Sequence, residues 1–471
     1  MSRFFVCVWY MFYVFLCSFF YMMVPPQNAH AALATSEARI ISDSQELFNR
    51  RIYSYDMGID SYGNIHIVYS KPYSDRKANI YYVRRVGGIW QSDILLTPDG
   101  FRPSGSTFLV IGSDNRIHIC YIKDEGTSES LNYIVINENG VVVKPETFVD
   151  DGGWHSRMQL DSNGYPVFVR GGKKWPEPPS RLVLLTTLDG TTWDKSYLNV
   201  TPVEKFRLAD FVYANGTYHI TYGDSAYTKE VWDGKGMTAR IDGTFHDFYY
   251  ITSQDGTNWT EHVIDNSHTL YESEFWTALV LVDGRPLIAM YKYAEYGGIY
   301  NRGTSARLSE WTGSSWTNKI ITNQTYPDTS EGMGVGLVVN ASGDYFGAWD
   351  FSPDDTHDDD FRGPRGNIAM ARSGPQNDWT PKVQVDPFSL EGRTRLRIHG
   401  GKLFFLALGD FVDSKLYFRE YNISDLNAVL PPTGGGVTPS TNSGEGTYLP
   451  AVYHMLLHPV IITPPSGLVI P

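Results

Sequence analysis

Short apolar runs alternate with polar turns along nearly the whole chain. Runs of about five or six residues rich in Ile, Val, Tyr and Phe follow hairpin turns built from Gly, Asn and Asp. This spacing predicts antiparallel β-strands and argues against helices. The strands that follow these turns are predicted at 65–69, 117–121, 166–169, 218–222, 286–291, 345–349 and 403–408.

A second turn motif recurs along the chain, and one of these hairpins lies upstream of each copy. Two clean copies read Thr-Leu-Asp-Gly-Thr-Thr-Trp at 187–193 and Ser-Gln-Asp-Gly-Thr-Asn-Trp at 253–259, and degenerate copies end at Trp90, Trp316 and Trp379. Asp-Gly supplies the positive φ angles of a tight turn, and the following Trp can fold back as an apolar plug. A unit of this kind cannot bury its own faces, so the copies must stack on one another.

The two repeats together predict an all-β fold, a seven-bladed β-propeller of four-stranded antiparallel blades. Seven units over roughly 390 residues give about 55 residues each, which suits four strands plus loops. With strands A to D running outward from the centre, the first hairpin joins A to B and the Asp-Gly-x-x-Trp turn joins C to D. The last unit lacks a fourth strand of its own, so we expect residues 38–42 to supply it and close the ring.

The Asp-Gly-x-x-Trp turn resembles the Asp-box, Ser/Thr-x-Asp-x-Gly-x-x-Trp, of the sialidase superfamily and related BNR-repeat propellers. It is one residue shorter between Asp and Gly, and the resemblance extends over roughly residues 38 to 425. In that superfamily the boxes are structural turns on the face opposite the active site. The resemblance therefore implies structural roles for Asp189, Asp255, Trp193 and Trp259.

The two ends of the chain differ from the repeats. Arg3, a long apolar run and Ala29-His30-Ala31 follow the order of a secretory signal, with an uncleaved anchor as the alternative. We expect a secreted or cell-surface protein with no membrane span in the mature chain. The predicted segments are a signal peptide at 1–31, the propeller at 38–428, a flexible Pro- and Gly-rich linker at 431–447 and a C-terminal tail at 448–471.

Composition limits the kinds of partner and cofactor that the protein is expected to bind. A net charge of −13 argues against nucleic acid, and we expect a monomer. Without the signal, Cys120 is the sole cysteine, which excludes an intramolecular disulfide and favours a buried, inert thiol. Zinc-ligand spacing and Gly-rich phosphate loops are absent, so no metal or cofactor is expected. The acidic run from Asp354 to Asp360 could hold calcium, but without EF-hand spacing it also fits a solvated loop.

Function is expected on the face that carries the D-to-A and B-to-C connections, which we call the rim, because these include the long loops. Arginines at the rim ends of the inner strands would trap the carboxylate or sulfate of a sugar. The alternative is that they bridge neighbouring blades. The candidate substrate-binding residues are Arg157, Arg207, Arg393, Arg170, Lys292 and Trp175, and Asp56 and Arg395 lie among the same strand ends.

Candidate catalytic residues lie on the same rim. His155, beside Arg157, is suited to proton transfer, and Glu274 with Glu331 could form the acid and base pair of a glycosidase. Tyr293 could stack on a sugar or, as the resemblance to sialidases implies, act as a nucleophile. Each also fits a structural hydrogen bond or ion pair. We expect a secreted carbohydrate-active propeller that acts on an acidic glycan as a hydrolase or lyase; the alternative is a non-catalytic propeller that binds glycan or protein.

Overall fold

The computed structural model gives the chain as a succession of β-strands. It describes residues 39–42 and 54–429, apart from 75–76, 99, 125–128, 153–155, 172–181, 201–205, 225–227, 233–236, 242–247, 266–276, 296–301, 321–335, 341–342, 352–365, 374–382 and 410–415. Within these residues one short helix follows the last strand, and no helix is long and apolar enough to cross a membrane.

The strands are short and evenly spaced, as the turn pattern predicted. In chain order they are β1 (Arg39–Ser42), β2 (Tyr55–Ile59), β3 (Ile65–Ser74), β4 (Lys77–Val86), β5 (Ile89–Trp90), β6 (Ile94–Leu95), β7 (Arg102–Ile111), β8 (Ile117–Asp124), β9 (Glu129–Ile136), β10 (Val142–Asp151), β11 (Ser156–Leu160), β12 (Pro166–Arg170), β13 (Val183–Thr186), β14 (Asp194–Tyr197), β15 (Phe206–Ala214), β16 (Thr217–Asp224), β17 (Thr228–Trp232), β18 (Met237–Ile241), β19 (Phe248–Ser253), β20 (Thr260–Asp265), β21 (Ala278–Val282), β22 (Arg285–Glu295), β23 (Arg302–Trp311), β24 (Trp316–Ile320), β25 (Gly336–Val339), β26 (Tyr345–Phe351), β27 (Gly366–Ser373), β28 (Val383–His399), β29 (Lys402–Gly409) and β30 (Leu416–Asn422), followed by helix α1 (Ile423–Val429).

Five sheets have the strand order of propeller blades. They are β2-β3-β4-β5 with β6 also on β4, then β7-β8-β9-β10, β11-β12-β13-β14, β15-β16-β19-β20 and β21-β22-β23-β24. Neighbouring strands in each sheet pair antiparallel. Strands β17 and β18, which lie between β16 and β19 in sequence, form a separate two-stranded ribbon. The prediction of an all-β propeller with four-stranded antiparallel blades is confirmed.

The predicted number of separate blades is wrong. Among the described residues there are six sheets of four or more strands, because the strands assigned to the last two blades form one seven-stranded sheet, β25-β26-β27-β28-β29-β30-β1. Strand β28 is continuous over 17 residues. Its first part pairs with β27 and its second part with β29, so one strand belongs to both halves of this sheet.

The N-terminal strand closes the ring. Strand β1 pairs antiparallel with β30, with Arg39 opposite Phe418 and Ser42 opposite Leu416. A chain that joins its first strand to its last sheet leaves no open seam at which the ring could unzip. The predicted ring closure is confirmed.

The hydrophobic core lies between neighbouring blades. In one cluster, Cys120 and Tyr133 of the second blade pack against Phe168 of the third, and in another, Met57 of the first blade packs against Leu406 near the C-terminus. Cys120 is fully buried, and burial raises the pKa of its thiol. The prediction of a buried free thiol is confirmed.

The Asp-Gly-x-x-Trp turns are structural. Asp189 Oδ1 accepts the backbone N–H groups of Thr191 and Thr192 at 2.6 and 2.7 Å, and Asp255 makes the equivalent bonds in its own turn. These backbone donors hold the pKa of each carboxyl well below its usual range. The turn Trp193 packs against Phe168 with the ring centroids 5.1 Å apart, as predicted for an apolar plug.

A His-Ile-x-Tyr sequence repeats in the second strands of three blades, β3, β8 and β16. Each His Nδ1 lies 2.6 Å from the hydroxyl of a Tyr on the third strand of the same blade, and each His is buried. Burial lowers the pKa of each of these imidazoles, and in two of them to about 4. The pairs are His66 with Tyr82, His118 with Tyr133 and His219 with Tyr250.

The Tyr of the same repeat joins the second strand to an acid farther out in its blade. The hydroxyl of Tyr222 donates to Glu261 Oε2 at 2.8 Å, and Tyr69 and Tyr121 bond in the same way to Asp93 and Glu146. The repeat therefore supplies each of these three blades with two polar links across its strands, one buried and one part-buried.

Candidate functional site

The inner strands bring one residue from each repeat to the same level of the central channel. The antiparallel registers show that this residue lies four positions before the turn between the first two strands where that turn has five residues, and five positions before it where the turn has two. Side chains at equivalent places around a propeller channel can meet although they are distant in sequence. The residues at this level are Asp56, Phe108, Arg157, Asp210, Ala278, Gly336 and Arg395.

Asp56 links three inner strands. Its Oδ1 accepts hydrogen bonds from the Met57 backbone N–H and from Arg397 Nη2 at 2.9 and 3.2 Å, and it pairs with Arg395 Nε at 3.3 Å. Its Oδ2 accepts the backbone N–H of Leu109, from the next inner strand, at 3.2 Å. One buried carboxylate thus joins β28, β2 and β7.

Asp210 makes the same link on another part of the ring. Its Oδ1 accepts the Phe211 backbone N–H at 2.9 Å and Arg157 Nε at 3.3 Å, and its Oδ2 accepts the backbone N–H of Leu279 at 2.8 Å. The order is the same as at Asp56: an arginine from the preceding inner strand, the aspartate, and an N–H group from the following strand. We call these two arrangements the Asp56 tie and the Asp210 tie.

Phe108 lies between the two ties. The Arg157 guanidinium carbon is 4.4 Å from the Phe108 ring centroid, and the Arg395 carbon is 5.9 Å from it, both within the range of cation–π contacts. Burial lowers the pKa of the Arg157 guanidinium, Asp210 opposes that shift, and the charge of Arg395 adds to it. The two guanidiniums are therefore close enough to repel, and the aspartates hold them together.

The arginines of the two ties differ in their access to solvent. The Arg157 side chain is 13% exposed, whereas those of Arg395 and Arg397 are 23% and 39% exposed. Arg157 also donates from Nη1 to the Ser156 carbonyl. Arg395 uses Nε for Asp56, and its Nη1 and Nη2 make no hydrogen bond with the part of the chain that the structure describes.

The structure gives both of the described substrate-binding candidates a partner within the protein. Arg157 belongs to the Asp210 tie, which is the bridging alternative of the sequence analysis. Arg170 is buried and donates from Nε to Asp150 Oδ2 at 2.5 Å, while Lys195 Nζ contacts the other oxygen of Asp150 at 2.9 Å. Arg170 therefore lies inside an ion pair between the second and third blades, away from the channel.

The remaining candidates are described in part or not at all. His155, Trp175, Glu274 and Glu331 lie outside the described residues, as does the acidic run 354–360. For four others the structure gives the strand and leaves the side chain undescribed: Arg207 in β15, Lys292 and Tyr293 in β22, and Arg393 in β28. Within the described residues no group of three or more His, Cys, Asp or Glu side chains could hold a metal ion.

Sequence reasoning missed Asp210, Phe108 and Arg397 as parts of the channel. Their signal was positional: Phe108 lies four residues before a five-residue turn, and Asp210 lies five residues before a two-residue turn. Arg397 lies two residues after Arg395 on the same face of the strand. Aligning the inner strands by their turns would have grouped Phe108 and Asp210 with Asp56, Arg157 and Arg395.

Comparisons with known proteins give structural likeness alone. No protein-family model and no curated protein matches the chain. Structural neighbours include an ulvan lyase of a new polysaccharide lyase family bound to -[GlcA(1-4)Rha3S]-, with 12% identity, a TM-score of 0.48 and coverage of 79% of this chain and 95% of that one.

Two further solved structures are also similar to this chain. The Penicillium chrysogenum α-L-arabinanase complexed with arabinobiose has 12% identity, a TM-score of 0.45 and coverage of 83% of this chain and 99% of that one. A subtype N11 neuraminidase-like protein of A/flat-faced bat/Peru has 11% identity, a TM-score of 0.42 and coverage of 67% and 87%. Likeness at this level carries no information about substrate or reaction.

Proposed function

We propose that this protein is a secreted carbohydrate-active propeller that binds an acidic glycan at the mouth of its central channel. The observation that supports the proposal is the state of Arg395. Asp56 holds its Nε at 3.3 Å, while the side chain stays 23% exposed in the channel. A planar fork with free N–H donors suits a carboxylate or a sulfate.

The surrounding charges support the same ligand. The two ties contain three guanidiniums and two carboxylates, so they carry one surplus positive charge in a chain whose net charge is −13. Because Asp56 and Phe108 fix the Arg395 side chain before a ligand arrives, little side-chain entropy is lost on binding. The signal-like residues 1–31 support secretion.

Binding without turnover is the form of this function that the geometry favours. Arg157, the predicted partner of the catalytic candidate His155, is engaged by Asp210 and the Ser156 carbonyl. The Arg157 guanidinium therefore forms its hydrogen bonds within the protein. An acidic substrate beside His155 would lack one of the cations that it needs.

Turnover is the second candidate function, and strand positions favour it. Strands β22 and β23 stay paired as far as Glu295 and Arg302, so Lys292 and Tyr293 lie at the rim end of their blade. Phe206 opposite Asp224 places Arg207 at the rim end of the preceding blade. In this form Tyr293 with His155, Glu274 or Glu331 would transfer the proton, as a hydrolase or a lyase.

A glycan panel tests both forms. We expect the mature protein to bind uronic-acid or sulfated polysaccharides and to leave neutral ones unbound, with Arg395→Gln weakening binding about tenfold or more. Arg116, an exposed arginine paired with Asp114 at a turn, provides the matched control, and Arg116→Gln should bind like the wild type. Equal binding by Arg395→Gln and wild type would contradict the channel site.

The products distinguish the two forms in the same experiment. New reducing ends without ultraviolet absorbance indicate hydrolysis, and unsaturated products that absorb indicate elimination. Bound acidic glycan that is recovered intact indicates a binding protein. A protein that binds no acidic glycan contradicts the proposal in both forms.

A further inference from the structure

A cavity of about 270 Å³ opens on the turn face, opposite the rim, where the first blade meets the last strands of the chain. Its walls come from two hairpin turns and from strands β4, β29 and β30. We call it the seam cavity and define it by Tyr62, Arg85, His399, Lys402 and Glu420. It shares no residue with the ties of the channel.

The floor of the seam cavity is a charged cluster with more cations than anions. Glu420 accepts hydrogen bonds from both Arg85 Nη1 and Lys402 Nζ. Burial raises the pKa of Glu420, but these two bonds outweigh it, and the pKa lies below its ordinary value. One carboxylate therefore faces two cations, and an incoming anion would balance the second.

The two cations keep capacity for a ligand. An ammonium has three N–H donors, and Lys402, whose side chain is 45% exposed, gives one to Glu420. Arg85 is fixed by its Nε bond to the Gly88 carbonyl at 3.0 Å and by the Phe418 ring, 5.8 Å from its guanidinium carbon. An anion could thus bind a mobile ammonium beside a guanidinium that is already in place.

The walls suit a flat, partly apolar ligand. Tyr62 is 77% exposed at the tip of its turn, which leaves its ring face open for stacking. Gly63 has a φ of +81°, and a Cβ there would lie 3.2 Å from the His399 ring, so glycine lets the imidazole lie against the turn. At Gly400 a Cβ would meet nothing within 4 Å, which leaves that side of the cavity open.

We propose that the seam cavity is a second glycan site, which binds one acidic sugar residue. The sugar ring lies against Tyr62, and its anionic group lies between Lys402 and Arg85. A cavity of about 270 Å³ is slightly below the range of roughly 300–1,000 Å³ for sites of larger ligands, which matches a single residue or chain end. This site lies on the opposite face from the proposed channel site and does not depend on it.

Saturation-transfer NMR and calorimetry on the mature protein test the proposal with glucuronic acid, glucose and inorganic sulfate as probes. We expect glucuronic acid to bind and glucose to bind about tenfold more weakly or not at all. Tyr62→Ala and Lys402→Gln should each weaken glucuronic acid about fivefold or more.

The control variants locate the site. Tyr197→Ala removes another exposed tyrosine, 57% exposed and on another blade, and Lys77→Gln removes an exposed lysine. Both should bind glucuronic acid like the wild type. The Arg395→Gln background removes the contribution of the channel, so that the seam cavity is measured alone.

Three outcomes would overturn the proposal. They are no binding of glucuronic acid, binding that survives both Tyr62→Ala and Lys402→Gln in the Arg395→Gln background, and sulfate binding as tight as that of glucuronic acid with no effect of Tyr62→Ala. The last would show an anion site that does not recognise sugar. Loss of binding only in Arg395→Gln would place the ligand in the channel.

Discussion

The Asp56 tie and the Asp210 tie have the same pattern of hydrogen bonds, but their arginines differ in number and in exposure. In each, an aspartate on one inner strand accepts a guanidinium from the strand before and a backbone N–H from the strand after. The Asp210 tie holds one arginine, which is 13% exposed and packs on Phe108 at 4.4 Å. The Asp56 tie holds two arginines that are more exposed.

This difference shows how one structural device can also supply a binding group. A carboxylate that accepts one guanidinium and two backbone N–H groups is occupied with joining blades, and its arginine is committed to the same task. A carboxylate that holds two guanidiniums keeps excess positive charge in the channel. The Asp56 tie also lies at the junction of the two chain ends, where closure depends on contacts between residues far apart in sequence.

Substitution of the two aspartates should have the largest effect on stability and tests whether the two ties differ. Asp56→Ala leaves two guanidiniums and the Leu109 N–H without their acceptor, and we expect a loss of about 3–5 kcal/mol in the free energy of unfolding. Asp210→Ala should cost at least about 1 kcal/mol less, because one guanidinium loses its partner and Asp210 is more exposed. Urea unfolding measures both, with Asp114→Ala as an exposed control. Equal losses for the two variants would show that the second arginine contributes nothing.

The turn tryptophans test whether apolar contacts join the blades as strongly as the ties do. Trp193→Ala removes a ring that packs on Tyr133 of one blade and Phe168 of the next, and should lower the free energy of unfolding by about 3–5 kcal/mol. Trp259→Ala, beside Tyr218, should have a cost in the same range. Both folded variants should bind glycan like the wild type, since neither tryptophan lines the seam cavity and both turns lie on the face away from the rim. Lost binding in a stably folded Trp259→Ala variant would reverse the assignment of the two faces.

Acid should weaken the blades through their buried histidines. Burial lowers the folded-state pKa of His118 and His219 from 6.5 to about 4, so between these values the unfolded chain binds protons that the folded chain does not. The free energy of unfolding should therefore fall as the pH drops from 6.5 to 4, by about 3 kcal/mol for each histidine. Urea unfolding at several pH values measures the slope, and His118→Gln with His219→Gln should flatten it. An unchanged slope in that double variant would assign the acid sensitivity to other groups.

Substitution of one arginine from each tie should separate folding from binding. Arg157→Gln should lower the free energy of unfolding and leave glycan affinity nearly unchanged in protein that folds. Arg395→Gln should cost about 1.5–3 kcal/mol of binding free energy for an acidic glycan, the scale of a hydrogen bond to a charged group. Thermal unfolding and calorimetric titration on the same samples measure both. A larger affinity loss in Arg157→Gln would restore the arginine trap that the sequence suggested.

Local patterns predicted the strands and turns well because their causes are local. Alternation of apolar and polar residues gives the second strands, and Asp189 with its neighbouring backbone donors forms its turn without distant help. The role of residues 38–42 also followed from sequence, since a missing fourth strand in the last repeat must be supplied from somewhere. The blade count failed because the sequence does not show whether the stretch before Arg393 breaks; in the structure β28 is continuous.

The sequence by itself determined that the chain forms a propeller of four-stranded blades and that its Asp-Gly turns are structural, because each turn is settled by a few neighbouring residues. Only the tertiary structure decided what the channel arginines do. Arg397 and Asp56 are 341 positions apart and meet only when the ring closes. Whether an arginine joins blades or faces a ligand depends on which carboxylate the closed ring brings to it. Asp210 holds Arg157 between blades, whereas Asp56 leaves Arg395 partly exposed to the channel.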